Sequence, residues 1–377
     1  MNMIKELEIC HSIANQSYQY ASQWKQDNQR KVIGYFCSYT PEEIISAAGM
    51  LPFRIIGGKH PISFADSHLQ SYCCSLARSG LEEALRGELN FLDGTIFPHT
   101  CDTIQRLSDI WRLNTDYPFH IDIVLPVKLN TNSAWQYMID VFITFKKECE
   151  QAFQQPIHNQ ALTESIICYN AIRSNMRQLY SLKSNAPDLL PGKDFHAILK
   201  SYMVMEKNEF LSHIIQIVAT LKEKAKSFHQ TPKKRLMVTG GICNYPEIYS
   251  LVENVGASIV WDDLCSGTRL FDGAMDETSD DPLREIAKRY YERVICPAKH
   301  KGKKYRGDHL VQLIKTHHCQ GVIFLLLPFC DPHSFDYPYM KETLNKEQIP
   351  SLFIEMEESQ QVEGQLKTRL EAFIEMI

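Results

Sequence analysis

Short apolar runs rich in Val, Ile and Phe alternate along this chain with longer stretches whose apolar positions recur at helical period. The runs at 31–37 (KVIGYFC), 51–57 (LPFRIIG), 92–100 (LDGTIFPHT) and 120–128 (HIDIVLPVK) are predicted strands, as are 235–241, 257–263, 321–329 (GVIFLLLPF) and 350–356. Helices are predicted at 41–50, where Pro41 suits a first turn, and at 75–89. From 133 to 229 the strand signal vanishes and only long helical stretches follow, ending in the basic, proline-containing linker HQTPKKR at 229–235. Helical patterns at 246–256, 281–294, 307–318 and 365–377 separate or follow the later strands. This alternation predicts an α/β protein with two doubly wound parallel-sheet units of the flavodoxin or Rossmann type and a helical insert between them. The expected segments are an N-terminal helix (1–30), a first α/β unit (31–132), a helical segment (133–230) and a second α/β unit (231–377).

Composition narrows the function. A chain of 377 residues with 44% hydrophobic residues can build more than one core. A net charge of -5 with 23% charged residues gives no polybasic footprint, so neither nucleic acid nor an anionic membrane surface is expected as the main partner. The apolar runs reach strand length only, which is too short to span a membrane. The N-terminal stretch carries Lys5, Glu6, Glu8 and His11 among its apolar residues, so it reads as an amphipathic helix and not a signal peptide, and a cytoplasmic location is expected. Twelve cysteines in a reducing compartment argue against a disulfide framework. None is paired in the C-x-x-C spacing of a zinc ribbon, so any metal site must be assembled by the fold from distant positions.

Two strands end alike. FPHTCD (97–102) and LLPFCDP (326–332) each deliver a Cys-Asp pair to the carboxyl end of a predicted strand, where open α/β sheets place their ligand crevices. Cys101 can be read as a small packed hydrophobe. Asp102 can cap the following helix, with Gln105 completing a capping box and Leu107, Ile110 and Trp111 forming the buried stripe. Neither reading prevents the sulfur from acting as a ligand, because a helix N-terminus favours the thiolate.

The stretches VIGYFCSYTPEEIISAAGMLPFRIIG, SYCCSLARSGLEEAL, LDGTIFPHTCDTIQRLSDIW, DLCSGTR and LLPFCDP, in that order, resemble the 2-hydroxyacyl-CoA dehydratase and benzoyl-CoA reductase family, which includes the double-cubane reductases. The resemblance runs from about residue 31 to the C-terminus and is weakest across the helical middle. It implies an oxygen-sensitive iron-sulfur enzyme in which three cysteines hold a 4Fe-4S cluster, with one iron open to water or substrate. Carried over by position, the ligands are Cys74, Cys101 and Cys330, with Cys73 competing with its neighbour. Thiolates from separate loops suit a soft iron-sulfur core. A separate ATP-hydrolysing iron-sulfur activator is implied as partner. It would inject an electron that passes to an acyl-CoA thioester carbonyl, and the resulting ketyl radical would permit elimination or ring reduction. The GYFCSYTPEE stretch (34–43) is then the source of substrate-side groups: Ser38 and Glu43 as candidate catalytic residues, Tyr39 as substrate-binding. Glu43 can move a proton or simply favour a helix dipole. Arg269 can hold an acyl-CoA phosphate or carboxylate, or be an ordinary salt-bridged arginine.

The reading divides over three more cysteines. If Cys37, Cys265 and Cys296 join the first three, six thiolates are present, the number a double-cubane (8Fe-9S) cluster needs, and the chain resembles the homodimeric ATP-dependent reductases of small molecules. If they are merely packed, a single cluster in one half of a heterodimer with a homologous subunit is implied, and this dehydratase-like subunit is the leading expectation. The lysines of VICPAKHKGKK (294–304) read as a solvated loop. A cluster-free binding or structural subunit of the same fold is also compatible with the pattern. VTGGICNYPE (238–247) has a glycine pair after a strand but lacks G-x-G-x-x-G, so a dinucleotide site is not expected there.

Overall fold

Eight strands pair in parallel throughout, forming two four-stranded sheets. The structure is a computed structural model that describes residues 5–58, 60–244, 247–356 and 363–377. The first sheet has β1 (Val32–Tyr35), β2 (Leu51–Arg54), β3 (Gly94–Pro98) and β4 (Phe119–Ile123) in the order β2-β1-β3-β4. The second has β5 (Lys234–Gly240), β6 (Ala257–Asp263), β7 (Gly321–Leu326) and β8 (Ser351–Glu355) in the equivalent order β6-β5-β7-β8. In both sheets the chain steps to one side and then returns to the other, so the strand order reverses between β1 and β3 and between β5 and β7. A crevice opens beyond the carboxyl ends of such strand pairs. The central strands are buried along their whole described length or nearly so, which is why they read as unbroken apolar runs.

The region between the sheets is helical, with helices Asn132–Phe153, Asn159–Asn185, Gly192–Val204 and Lys207–Ala225 and one 3-10 turn at Pro187–Leu189. The N-terminal helix Lys5–Asn15 buries Leu7, Cys10, Ile13 and Ala14 against Gly192–Val204 and Lys207–Ala225. It belongs to the helical layer in packing although it precedes the first sheet. Residues 1–4 and Pro246, which the sequence pattern places in helices, lie outside the described residues. One apolar core runs from Leu7 through Phe36, Phe97 and Ile198 to Leu236 and Ile323, so the two sheets and the helices between them share an interior. Among the described residues no helix is long and apolar enough to cross a membrane.

Three local readings change. The helix after Cys101 spans Asp102–Asn114 with Cys101 itself as N-cap, so Asp102 occupies the first helical position and the expected Asp102/Gln105 capping box is absent. Pro41 is likewise the N-cap of a shorter helix, Glu42–Ala47. A helix at Asp331–Lys346 has no counterpart in the sequence reading; it buries only His333, Met340 and Leu344 and contains Pro338, so no apolar stripe announces it.

One crossover leaves its own sheet. Helix Pro282–Glu292 packs on Asn132–Phe153 and Asn159–Asn185, and Tyr290 sits in the core cluster of Tyr39 and Phe142. Beyond it the chain makes a parallel bridge from His300 to Lys128, with His300 N–H donating to Val127 O (2.8 Å) and Leu129 N–H to His300 O (2.9 Å). This strap carries Cys296 from the second half of the sequence to the end of β1.

The first glycine of the pair, Gly240 at the end of β5, has a packing cause. A Cβ on Gly240 would collide with the backbone oxygen of Leu325 on β7, and backbone cannot swing aside as a side chain can. Gly240→Ala is therefore expected to cost about 3 kcal/mol, the upper end for overpacking, by forcing β5 and β7 apart. Thermal unfolding checks this; an unchanged melting temperature would mean that the sheet yields freely at this point.

Candidate thiol-lined site between the sheets

All twelve cysteines are free thiols. Six of them gather where the carboxyl ends of the two sheets face each other. Cys101 lies near enough to Cys74, Cys37 and Cys296 to feel their charge, Cys330 near Cys74, Cys101 and Cys265, and Cys296 near Cys265 and Cys37. These electrostatic neighbours can be grouped as two triads, Cys74/Cys101/Cys330 and Cys37/Cys265/Cys296, with Cys101 and Cys330 linking one to the other.

The first triad is built from three helix N-termini. Cys74 caps Ser75–Leu85, Cys101 caps Asp102–Asn114 and Cys330 caps Asp331–Lys346. Burial pushes all three thiols up, Cys74 to about 11, while in each case the amide three residues on (Ala77, Ile104 or His333) works in the opposite sense and favours the thiolate. A helix N-terminus presents unpaired N–H groups and the positive end of the dipole, so three of them facing one space favour negative charge there. His333 sits with Nδ1 3.2 Å from Cys330 Sγ, and burial drives its pKa down to about 3, so it is neutral. Phe329, directly before Cys330, has φ of 60°, a left-handed conformation unusual for an aromatic residue, and its ring is exposed. The thiol of Cys73, the competing neighbour of Cys74, meets Gln70 Oε1 at 3.8 Å and the Thr103 side chain.

The second triad is served by individual donors. Thr100 Oγ1 donates to Cys37 Sγ (3.4 Å), Arg269 Nη1 to Cys265 Sγ (3.4 Å) and Ala298 N–H to Cys296 Sγ (3.2 Å). Burial pushes Cys296 up to about 12. Tyr39 is fully buried beside Cys37 and Cys296, with Arg293 and Lys299 against its ring. Ser38 Oγ accepts from Arg293 Nη2 at 3.3 Å. Arg54, at the end of β2, donates to the Cys265 carbonyl (2.8 Å) and ties the two halves together.

Two residues with expected roles meet buried partners in this placement. Arg269 is 1% exposed and its fork is closed on Asp263, Nε to Oδ1 at 2.6 Å and Nη2 to Oδ2 at 2.7 Å, while Nη1 donates to Cys265 Sγ. Glu43 is buried, bonded to Arg173 and to the Tyr290 hydroxyl (3.1 Å), with Arg289 3.6 Å away. Burial would raise its pKa, but the two guanidiniums outweigh it and hold the carboxyl below its usual range. A carboxylate so held has no proton to give near neutral pH. The lysine-rich loop is corrected in part as well, because Lys299 is buried, with Nζ donating to Leu125 O (3.2 Å). Arg293, Lys299, Thr100 and His333 are site residues that the sequence reading missed. Arg293 and Lys299 flank Cys296 at three residues on either side, the one signal that could have found them.

Residues 37–377 match the family model of the 2-hydroxyglutaryl-CoA dehydratase D-component. The chain is 26% identical over 359 residues to the (R)-phenyllactyl-CoA dehydratase beta subunit of Clostridium sporogenes, covering 95% of both chains. It is 29% identical over 340 residues to a benzoyl-CoA reductase subunit of Thauera aromatica, covering 88% of this chain and 86% of that one. It is 28% identical over 354 residues to the beta subunit of (R)-2-hydroxyglutaryl-CoA dehydratase of Acidaminococcus fermentans, covering 92% and 93%. The protein thus belongs to the 2-hydroxyglutaryl-CoA dehydratase D-component family, among the subunits of 2-hydroxyacyl-CoA dehydratases and benzoyl-CoA reductases.

Proposed function

We propose that this chain is an iron-sulfur subunit that delivers low-potential electrons to an acyl-CoA thioester, with all six facing cysteines as ligands: Cys74, Cys101 and Cys330 for one cubane, Cys37, Cys265 and Cys296 for a second joined to it. The observation that carries the proposal is the convergence of six buried or half-buried free thiols from both sheets, each with a hydrogen-bond donor or helix amide at its sulfur. The donor set fits the group. Among the described residues no three His, Cys, Asp or Glu side chains are placed to share one metal ion, whereas a multi-iron core spreads its thiolates around itself. The guanidinium Nε of Arg293 is buried without a partner beside the second triad. When bound, such clusters supply one-electron reduction and Lewis acidity toward a carbonyl oxygen.

The chain's own residues would do the rest. Amides of Ala77, Ile104 and His333 and the donors Thr100, Arg269 and Ala298 would favour the thiolate form of the sulfurs against the cost of burial once iron is bound. The apolar walls around Phe36, Phe97 and Trp111 keep the base of the first crevice dry. Tyr39 and Ser38 face the second triad from the end of β1. Exposed Tyr72 and Phe329 border the first triad, and this side is the expected approach for substrate and for a separate ATP-dependent one-electron donor. The beta-subunit relatives support assembly with a homologous subunit.

A second reading keeps only Cys74, Cys101 and Cys330 as ligands; their shared placement at helix N-termini favours it over any other set of three. Iron and sulfide quantitation after anaerobic purification and reconstitution separates the readings. About eight irons per chain are expected; about four would leave the three-ligand reading, and none would refute both.

A further inference from the structure

Arg293 and Lys299, two buried cations beside the second triad, have no carboxylate partner among the described residues. Arg293 is 4% exposed and Lys299 3% exposed, and among the described residues no carboxylate stands within ion-pair distance of either. Arg293 offers Nη2 to Ser38, leaves Nε without a partner, and places its guanidinium 4.1 Å from the centre of the Tyr39 ring and 4.9 Å from that of Tyr290. Lys299 Nζ lies 5.4 Å from the same Tyr39 ring and has one carbonyl, Leu125 O, to donate to. Four other buried arginines of this fold are paired: Arg173 and Arg289 share Glu43, and Arg269 and Arg306 share Asp263, with Asp336 as a further partner of Arg306; Arg54 is the exception, held by the Phe36 and Cys265 carbonyls. An unpaired buried charge is costly, and a fold that retains two side by side is built around a missing negative charge. Both cations face Cys37 and Cys296, and Arg269, its charge shared with Asp263, donates to Cys265 Sγ.

The first triad has the positive ends of three helices in place of such cations, and carboxylates close by. Asp102 and Asp331 begin two of its three helices, Asp331 acts on both Cys73 and Cys74, and His333 is neutral. Arg78, the nearby arginine, is already bonded to Asp66 at 2.7 Å. Positive charge and N–H···S contacts stabilise the reduced form of an iron-sulfur group and raise its potential; negative charge lowers it.

We propose that Arg293 and Lys299, with Arg269, are positioning residues that make the Cys37/Cys265/Cys296 half the more oxidising, electron-holding half of the centre. The carboxylate-flanked Cys74/Cys101/Cys330 half is thereby left as the more reducing half, on the side of the exposed Phe329. One electron supplied by an external low-potential donor rests at the cationic half, and no proton need accompany it because the charge is already present. This rests on the six-ligand reading above.

The test is a potentiometric titration of the reconstituted full chain followed by electron paramagnetic resonance, with iron content measured on the same samples. Wild type is expected to show two couples. Arg293→Gln is expected to lower the higher midpoint so that the oxidised-to-reduced ratio at fixed potential rises at least tenfold, about 59 mV for one electron, while the lower midpoint moves less. Arg293→Lys should restore most of the shift, and Lys299→Gln should give a smaller shift of the same sign. About eight irons with both midpoints unmoved, or moved equally, in Arg293→Gln and Lys299→Gln would overturn the inference while leaving the six-ligand reading intact. About four irons and one couple in wild type would overturn that reading first. If Arg293→Gln does not take up iron, Lys299→Gln and Arg293→Lys decide: a loaded Lys299→Gln with no selective shift overturns the proposal.

Discussion

Cys101→Ser, purified and reconstituted without oxygen, is expected to lose at least half of the iron bound by the unmodified chain. Cys101 is, with Cys330, one of two thiols through which the triads meet: it feels Cys74 on one side and Cys37 and Cys296 on the other. It also caps a helix whose side chains Ile104, Leu107 and Trp111 are locked into the core, so the sulfur cannot be replaced by a neighbour swinging into its place. A serine oxygen is a hard, poor ligand for an iron-sulfur core and its proton is not released near neutral pH. The local fold should tolerate the change, since serine is a good N-cap. Far-ultraviolet circular dichroism should therefore remain unchanged while iron content and visible absorbance fall. Cys319→Ser, in a thiol that meets only the His317 carbonyl and Arg235, is the matching control and should keep full iron. Retention of full iron by Cys101→Ser would remove Cys101 from the ligand set.

The strands and their burial were legible because parallel strands covered on both faces read as unbroken apolar runs, and β6 occupies the predicted 257–263 to the residue. The Cys-Asp repeat pointed to the correct sheet edge because strand ends are local features. What the sequence concealed is whatever depends on chain crossings. Cys296 is separated from Cys37 by most of the chain, and only the packing of Pro282–Glu292 on the helical layer and the His300–Lys128 bridge bring them together. The same strap buries Lys299, which by composition belongs to a solvated loop. Glu43 and Arg269 were ambiguous for a related reason: a charged residue near a strand end can face a crevice or a buried partner, and the partners here, Arg173 at 130 residues' distance and Asp263 six residues away, leave no local pattern. Helix Asp331–Lys346 was missed because it is mostly exposed and interrupted by Pro338. The Cys101 cap was misplaced by one residue because Asp is the stronger N-cap former, yet here the helix starts one residue earlier and gives the capping position to the sulfur.

Glu43→Ala is expected to be the most destabilising single substitution near the site, at about 3–5 kcal/mol. The carboxylate is the shared anion of Arg173, on the long helix of the middle layer, and Arg289, on the strap helix, while Tyr290 donates to its second oxygen. Ser165 donates to its main-chain carbonyl at 2.8 Å, so the residue is held from both ends. Removing it leaves two guanidiniums buried without a counter-charge, which costs far more than the contact itself is worth. Arg289 already shows the strain of this crowding, its pKa pushed down to about 10 by burial and then by Arg173, with Glu43 the opposing influence. Because the carboxyl is held below its ordinary value, its contribution is complete above the unfolded pKa of about 4.3 and is lost as pH falls through the lower folded value. The urea midpoints of the unmodified chain and Glu43→Ala should therefore differ by a constant amount from pH 7 to pH 5 and converge only in more acid solution. A gap that opened or closed around neutral pH would instead mark Glu43 as a proton carrier, the role its position in the sequence first suggested. A difference below about 1 kcal/mol throughout would show that the strap is anchored by its apolar contacts alone.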